Sequence, residues 1–229
     1  MKAIILTGVS AGLGKAFFDI LKDTDFYLIC LSRSFAEYQV KLAKAGNPEL
    51  IRIDLNEIHE VTQKLSGARL LKNSILDEII FINNAGTVSP IGKIGAINEQ
   101  DIMRSINTNF ISPVLITNFL GAACGKNNIK FRILNISTGA ADKPFAGWSM
   151  YCSAKCAARM FFNVAEKEQE IEIENVDPGV LNTRMQDEIR NADKSDFPLV
   201  DYFKNLAEAG RLREPAQVAF NILKKSGLI

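Results

Sequence analysis

The chain has 229 residues, 47% of them apolar, with 27 Lys+Arg against 26 Asp+Glu. That length and apolar content suit one large globular domain, and the near-neutral balance excludes the electrostatic footprint of a protein that binds nucleic acid or an anionic membrane. The four apolar residues between Lys2 and Thr7 are too few for a signal-peptide core and no apolar run approaches a membrane span, so a cytoplasmic protein is expected.

In chain order, short apolar runs alternate with helical patterns. Strands are expected over 3–6, 26–31, 50–54, 79–82, 131–136 and 171–176. Helices are expected over 13–21, 35–45, 58–71 and 98–120, around Tyr151, and from Pro215, whose fixed φ suits the first turn. The first strand is a continuous apolar run rather than an alternating one, which suits a strand covered on both faces of a parallel sheet. Strict β/α alternation at this spacing predicts an α/β Rossmann-type doubly wound parallel sheet flanked by helices, one domain over 1–229, with any ligand at the carboxyl ends of the strands. Cys30, Cys124, Cys152 and Cys156 show neither metal-ligand nor disulfide spacing; Cys152 and Cys156 read as packing residues, no metal site is expected, and the single histidine, His59, reads as solvated.

The chemistry-bearing residues fall on the strand ends. Thr7-Gly8-Val9-Ser10-Ala11-Gly12-Leu13-Gly14 joins the first strand to the first helix, where glycines allow close approach of a pyrophosphate and the helix N-terminus offers free N–H groups. Asn83-Asn84-Ala85-Gly86 ends the fourth strand, and Pro178-Gly179 follows the sixth. Tyr151 and Lys155 are four apart on one helix, so a phenol and an ammonium share one face, and a neighbouring cation is expected to lower the phenol pKa. Alone, Tyr-x-x-x-Lys is a common surface pair; its place among the other motifs gives it weight. At the end of the second strand stand Ser32 and Arg33 and no carboxylate, a pair suited to a 2′-phosphate.

Together these residues resemble the short-chain dehydrogenase/reductase family: T-G-x-x-x-G-x-G over 7–14, N-N-A-G over 83–86, Y-x-x-x-K at Tyr151 and Lys155, and P-G-x-x-x-T over 178–183. Within it the chain is similar to the sepiapterin reductase and benzil reductase type, through P-F-A-G-W-S-M-Y-C-S-A-K-C-A-A-R-M-F and P-G-V-L-N-T-R-M-Q. The resemblance implies an NADP-dependent oxidoreductase that moves a hydride from NADPH to a ketone or 1,2-dicarbonyl, with Tyr151 as proton donor and Lys155 lowering its pKa and binding the nicotinamide ribose. It implies a hydroxyl donor at Thr138, with Ser137 beside it in reserve, and a relay asparagine at Asn109 rather than Asn107, its carbonyl left free by Pro113. It assigns Gly8, Ser10, Gly12, Leu13, Gly14, Ser32, Arg33, Asp54, Leu55, Asn84, Ala85, Gly86, Pro178, Gly179 and Thr183 to the cofactor. Phe145, Trp148, Leu181 and Met185 are expected to line an apolar substrate pocket, with Glu214 as a ring anchor or simply the residue that starts the last helix. It also implies a homodimer through the long helix and the Tyr151 helix. Departures are Ala11, where many NADP-preferring relatives carry a base, and Thr138 in place of the usual serine. A reductase of another small ketone or 3-oxoacyl group, or a sensor that binds NADP without turnover, remains open; the intact Tyr151–Lys155 pair favours the enzyme.

Overall fold

Short apolar runs become strands covered on both faces. The computed structural model, which describes residues 1–72, 76–168 and 171–229, places β1 (Lys2–Thr7), β2 (Tyr27–Ser32), β3 (Glu49–Arg52), β4 (Glu78–Asn83), β5 (Lys130–Ile136) and β6 (Glu172–Val176) in one sheet. Among the described residues every pairing is parallel and the order is β3-β2-β1-β4-β5-β6. In β4 the pleat sends Ile79 and Phe81 to one face and Ile80 and Ile82 to the other, all buried. This two-sided burial explains why the sequence shows continuous apolar runs rather than alternation.

Helices α1 (Gly12–Leu21) and α10 (Pro215–Lys225) cover one face, with Phe17, Phe18, Ala219 and Leu223 fully buried against Ile4, Leu28 and Ile82. The opposite face is covered by α3 (Ile58–Ser66), α6 (Ser112–Asn127) and α7 (Ser149–Glu168), through Val61 and Leu65, Ile116 and Leu120, and Ala158 and Phe162. Strand order reverses between β1 and β4, which opens a crevice at their carboxyl ends.

Beyond shifts of one or two residues at element ends, the structure departs from expectation in four places. The helix expected over 58–71 is two, α3 and the single turn α4 (Arg69–Lys72), divided at Gly67, where the loss of side-chain contacts and the entropy of glycine favour a stop. The helix expected over 98–120 runs as α5 (Glu99–Ile106), a π-helical segment (Asn107–Ile111) and α6, which continues to Asn127 and closes on the left-handed Asn128. The proline ring at 113 opposes a regular turn against the carbonyl of residue 109, and the widened π turn accommodates it. β3 stops at Arg52, so Asp54 and Leu55 lie on the loop beyond it. Finally, α8 (Arg184–Arg190) and α9 (Val200–Glu208) have no counterpart among the expected elements; both start without a side-chain cap, and their apolar residues Ile189, Val200, Phe203 and Leu206 join a third cluster around Trp148. Cys30 and Cys124 are buried and Cys152 is half-buried, but Cys156 is exposed, so packing does not account for it. Among the described residues no helix is long and apolar enough to cross a membrane.

Candidate active site

A cavity of about 890 Å³ occupies the crevice at the strand ends. Its first wall is the turn between β1 and α1. A Cβ built at Gly14 would stand 2.1 Å from the Gly8 carbonyl oxygen and 2.3 Å from Asn84 Nδ2, so only glycine lets the turn close against the β4 end. The N-cap of α1 is Ala11, which offers no side-chain cap, and the first-turn N–H groups are therefore available to an anion. Thr7 joins the two strand ends: its hydroxyl oxygen accepts from the Asn84 and Ala85 N–H groups, each at 3.0 Å, and its carbonyl accepts from Asn84 Nδ2 at 2.9 Å. Thr183 abuts the same turn, its Cγ2 lying 3.1 Å from the Cβ position of Gly12.

The structure brings most of the expected site residues to this one cavity. Gly8, Ser10, Gly12, Leu13 and Gly14 line it beside Asn84, Ala85 and Gly86; Ser32, Arg33, Asp54 and Leu55 line one end; Pro178, Gly179 and Thr183 form another part of the wall. Arg33 is exposed and makes no ion pair among the described residues. At the opposite end stand Ser137, Thr138, Tyr151 and Lys155, with Phe145, Trp148, Leu181 and Met185. Trp148 stacks on Phe197 (ring centroids 4.5 Å apart) and meets Phe145 and Tyr151 edge-on, each at 5.6 Å. The glycine turn, the uncapped helix start and the cavity volume suit a dinucleotide.

Two expected residues are not on the lining. Glu214 is exposed at the N-cap of α10, ahead of Pro215, and its Oε1 accepts from Asn182 Nδ2 at 3.1 Å; its position is that of a helix start. Asn109 is buried behind Gly86. Its Oδ1 accepts from the Thr87 N–H (3.0 Å) while its Nδ2 donates to the Thr87 carbonyl (2.9 Å), a two-point clamp on the loop after β4. A Cβ at Gly86 would lie 3.0 Å from Asn109 Oδ1 and 3.5 Å from Lys155 Nζ, so Asn109 and Lys155 flank the same spot. Asn107 instead donates to the Asn56 carbonyl at 3.1 Å.

Electrostatics correct one expectation. Burial pushes the Tyr151 phenol up to about 12; the Thr138 hydroxyl opposes that shift, and the charges of Asp177 and Cys152 add to it. Lys155 is itself pulled down to about 8 by burial, and its ammonium donates to the Ile136 carbonyl at 3.2 Å. In this geometry desolvation outweighs the Thr138 hydrogen bond, and the phenol pKa is raised rather than lowered.

Sequence reasoning missed Arg159. It stands four residues after Lys155, on the same α7 face as Tyr151 and Lys155, and that spacing was the available signal. Its Nε and Nη2 donate to Ser137 Oγ (3.1 and 2.7 Å), Nη2 also donates to the Thr138 carbonyl (2.9 Å), and Nη1 pairs with Asp142. Four residues further on, Asn163 Oδ1 accepts from Asn175 Nδ2 at 3.1 Å, the end of a ladder in which Asn83 donates to Asn135 and Asn135 to Asn175, each at 2.8 Å. A polar stripe thus fastens α7 to the ends of β5 and β6. Asp177, also missed, lines the cavity, and its Oδ1 accepts from the Gly179 N–H at 2.9 Å.

Known proteins match this chain along almost its whole length. It is 32% identical over 227 residues to benzil reductase ((S)-benzoin forming) of Bacillus cereus, covering 96% of this chain and 91% of that protein. It is 29% identical over 239 residues to sepiapterin reductase of Meriones unguiculatus, covering 96% and 90%. Among solved structures, that of the KRED1-Pglu enzyme superposes with a TM-score of 0.82 at 26% identity, covering 97% of this chain and 93% of that one. A family model described as short chain dehydrogenase matches residues 2–194, a span that contains the whole parallel sheet and both ends of the cavity. The chain therefore belongs to the short-chain dehydrogenase/reductase family, oxidoreductases that act on alcohol and carbonyl groups with a nicotinamide cofactor.

Proposed function

We propose that this protein is an NADPH-dependent carbonyl reductase that reduces a ketone or 1,2-dicarbonyl of the benzil or sepiapterin type. The observation that carries the reading is the shared cavity wall of Tyr151, Lys155 and Thr138 at one end, with Arg33, which has no ion-pair partner among the described residues, beside Ser32 at the other. Relatives named for benzil and sepiapterin reduction support the substrate class.

When bound, the reduced nicotinamide supplies the hydride. The chain's own residues handle the oxygen. Thr138 Oγ1 accepts from the Ala140 N–H at 3.2 Å, so its own O–H is directed to the Tyr151 phenol, where a substrate carbonyl between the two hydroxyls would receive it. Ser137, with its oxygen taken up by Arg159, is part of the frame that holds Thr138. Tyr151, with its pKa near 12, keeps its proton at neutral pH, the form a reduction requires. As that proton leaves, the nearby Lys155 ammonium stabilises the tyrosinate. The buried Asn109, next to Lys155, offers a backbone carbonyl for a proton relay, because Pro113 has no N–H to give it.

Arg33 and Ser32 are matched to the 2′-phosphate of NADP, so the discriminating experiment compares initial rates with NADPH and NADH on benzil and sepiapterin, in wild type and Arg33→Ala. The reading expects NADPH to be favoured by at least about tenfold and the preference to collapse in the variant, since a charged hydrogen bond contributes about 1.5–3 kcal/mol. Equal efficiency with both cofactors in wild type overturns the NADPH assignment.

A further inference from the structure

Asp177 lines the cavity and has no part in the proposed hydride chemistry or cofactor binding. It follows β6 in Asp177-Pro178-Gly179 and lines the cavity near the Tyr151 phenol, close enough for its charge to act on that group. One oxygen, Oδ1, accepts the Gly179 N–H; the other, Oδ2, lies 3.4 Å from the Cβ position of Gly139, the residue after Thr138. Asp177 is exposed to the solvent of the open cavity, and among the described residues no cation pairs with its carboxylate and no donor meets Oδ2, which leaves that oxygen open to a ligand. The other carboxylates on the lining are elsewhere: Asp54 beyond β3, and Glu188 on α8, where it accepts from Ser89 Oγ.

The turn alone does not call for a charge. An asparagine or serine side chain accepts the same Gly179 N–H. The charge moreover opposes ionisation of the proton donor beside it. A ligand bearing a positive or hydrogen-bond-donating group next to its carbonyl would meet Oδ2 while the carbonyl oxygen lies between Tyr151 and Thr138, and would offset that opposition. A ketone with no such substituent, such as acetophenone, offers this carboxylate no donor. Resting on the carbonyl-reductase reading, we propose that Asp177 is a specificity-determining residue that selects substrates carrying an ammonium or hydroxyl group on the carbon adjacent to the reacting carbonyl.

Trp148, the sole tryptophan, lines this cavity and so provides a fluorescence signal for binding. The experiment titrates the full-length, NADP-saturated protein with α-aminoacetophenone at mildly acidic pH, α-hydroxyacetophenone and acetophenone, which share one ring, and then measures turnover of each. Wild type is expected to bind the ammonium ketone at least about tenfold more tightly than acetophenone, with the hydroxy ketone between them, as a charge-assisted hydrogen bond predicts. Asp177→Asn keeps the Gly179 acceptor and should close that gap while leaving acetophenone unchanged. Equal wild-type affinities, or a variant that weakens all three ligands alike, would overturn the proposal and leave Asp177 as a turn residue. Asp177→Ser is the second uncharged variant; if neither variant folds, the wild-type ranking decides. Failure of the reductase reading appears separately, as an intact affinity ranking with no turnover of any ketone.

Discussion

Tyr151 and Lys155 show how burial redirects a motif read from spacing alone. Tyr151→Phe removes the proton donor and leaves the ring packed against Trp148, so turnover should fall about 10²–10⁴-fold while NADPH binding stays within a few-fold, as rate and cofactor titration would show. Lys155 bears on stability. Burial lowers its pKa from 10.5 to about 8. Below pH 8 both the folded and unfolded chains hold the proton, and the full penalty of the buried cation is present; between the two values only the unfolded chain holds it, so stability rises with pH and the penalty disappears above the unfolded value. Lys155→Met is therefore expected to inactivate the enzyme yet raise its unfolding free energy at neutral pH by about 1–3 kcal/mol, with the gain gone in strongly alkaline buffer. Urea midpoints across pH check this, and a pH-independent gain would assign it to packing instead. Arg159 acts at one remove, through the Ser137–Thr138 frame. Arg159→Met should lower kcat about tenfold or more with little change in the KM for NADPH, and Arg159→Lys should recover only part of the loss because an ammonium lacks the planar fork. A change confined to stability would make Arg159 structural only.

At the scale of elements, the π-helical segment between α5 and α6 is the feature that periodicity could not reveal. Apolar spacing over 98–120 fits a regular helix, and the single extra residue of a π turn is absorbed without disturbing the flanking patterns. Its consequence is positional. Asn107 turns toward Asn56 and Asn109 toward Thr87, behind Gly86 and beside Lys155. Pro113→Ala supplies an N–H at the point where the proline supplies none. If the Asn109 carbonyl serves the relay, the variant should lose turnover several-fold and shift the pH dependence of kcat while stability holds or rises, since a helix-interior proline is unfavourable by about 3 kcal/mol. Unchanged kcat and pH profile would remove the carbonyl from the mechanism.

For the molecule as a whole, one sheet buried on both faces supports the glycine turn and the strand-end walls of the cavity, while α8, α9 and the cluster around Trp148 complete the lining. Phe81, fully buried in β4 at the centre of the sheet, packs with residues of α6 and α7. Phe81→Ala should destabilise the fold by about 3–5 kcal/mol, read from the shift in denaturant midpoint, and saturating NADP should restore part of it by mass action. A loss under about 1 kcal/mol would mean the neighbouring helices collapse into the cavity more readily than this packing implies.

The chain sequence by itself determined the parallel sheet, its glycine turn and the Tyr151–Lys155 pair, because these depend on local signals: continuous apolar runs, a turn that only glycine tolerates, and i,i+4 spacing on a helix face. It also carried the choice between the two readings of Glu214, since proline at the next position marks a helix start. The tertiary structure decided what depends on neighbours distant in sequence. Arg159 binds Ser137 and Thr138 only because α7 crosses the end of β5; the Tyr151 pKa rises because the third cluster closes over the phenol; and α8 and α9 form because Trp148 and Phe197 give their apolar faces something to cover. No window of sequence contains both partners of these contacts, and burial, which sets the sign of a pKa shift and the worth of an apolar face, exists only once the chain has packed.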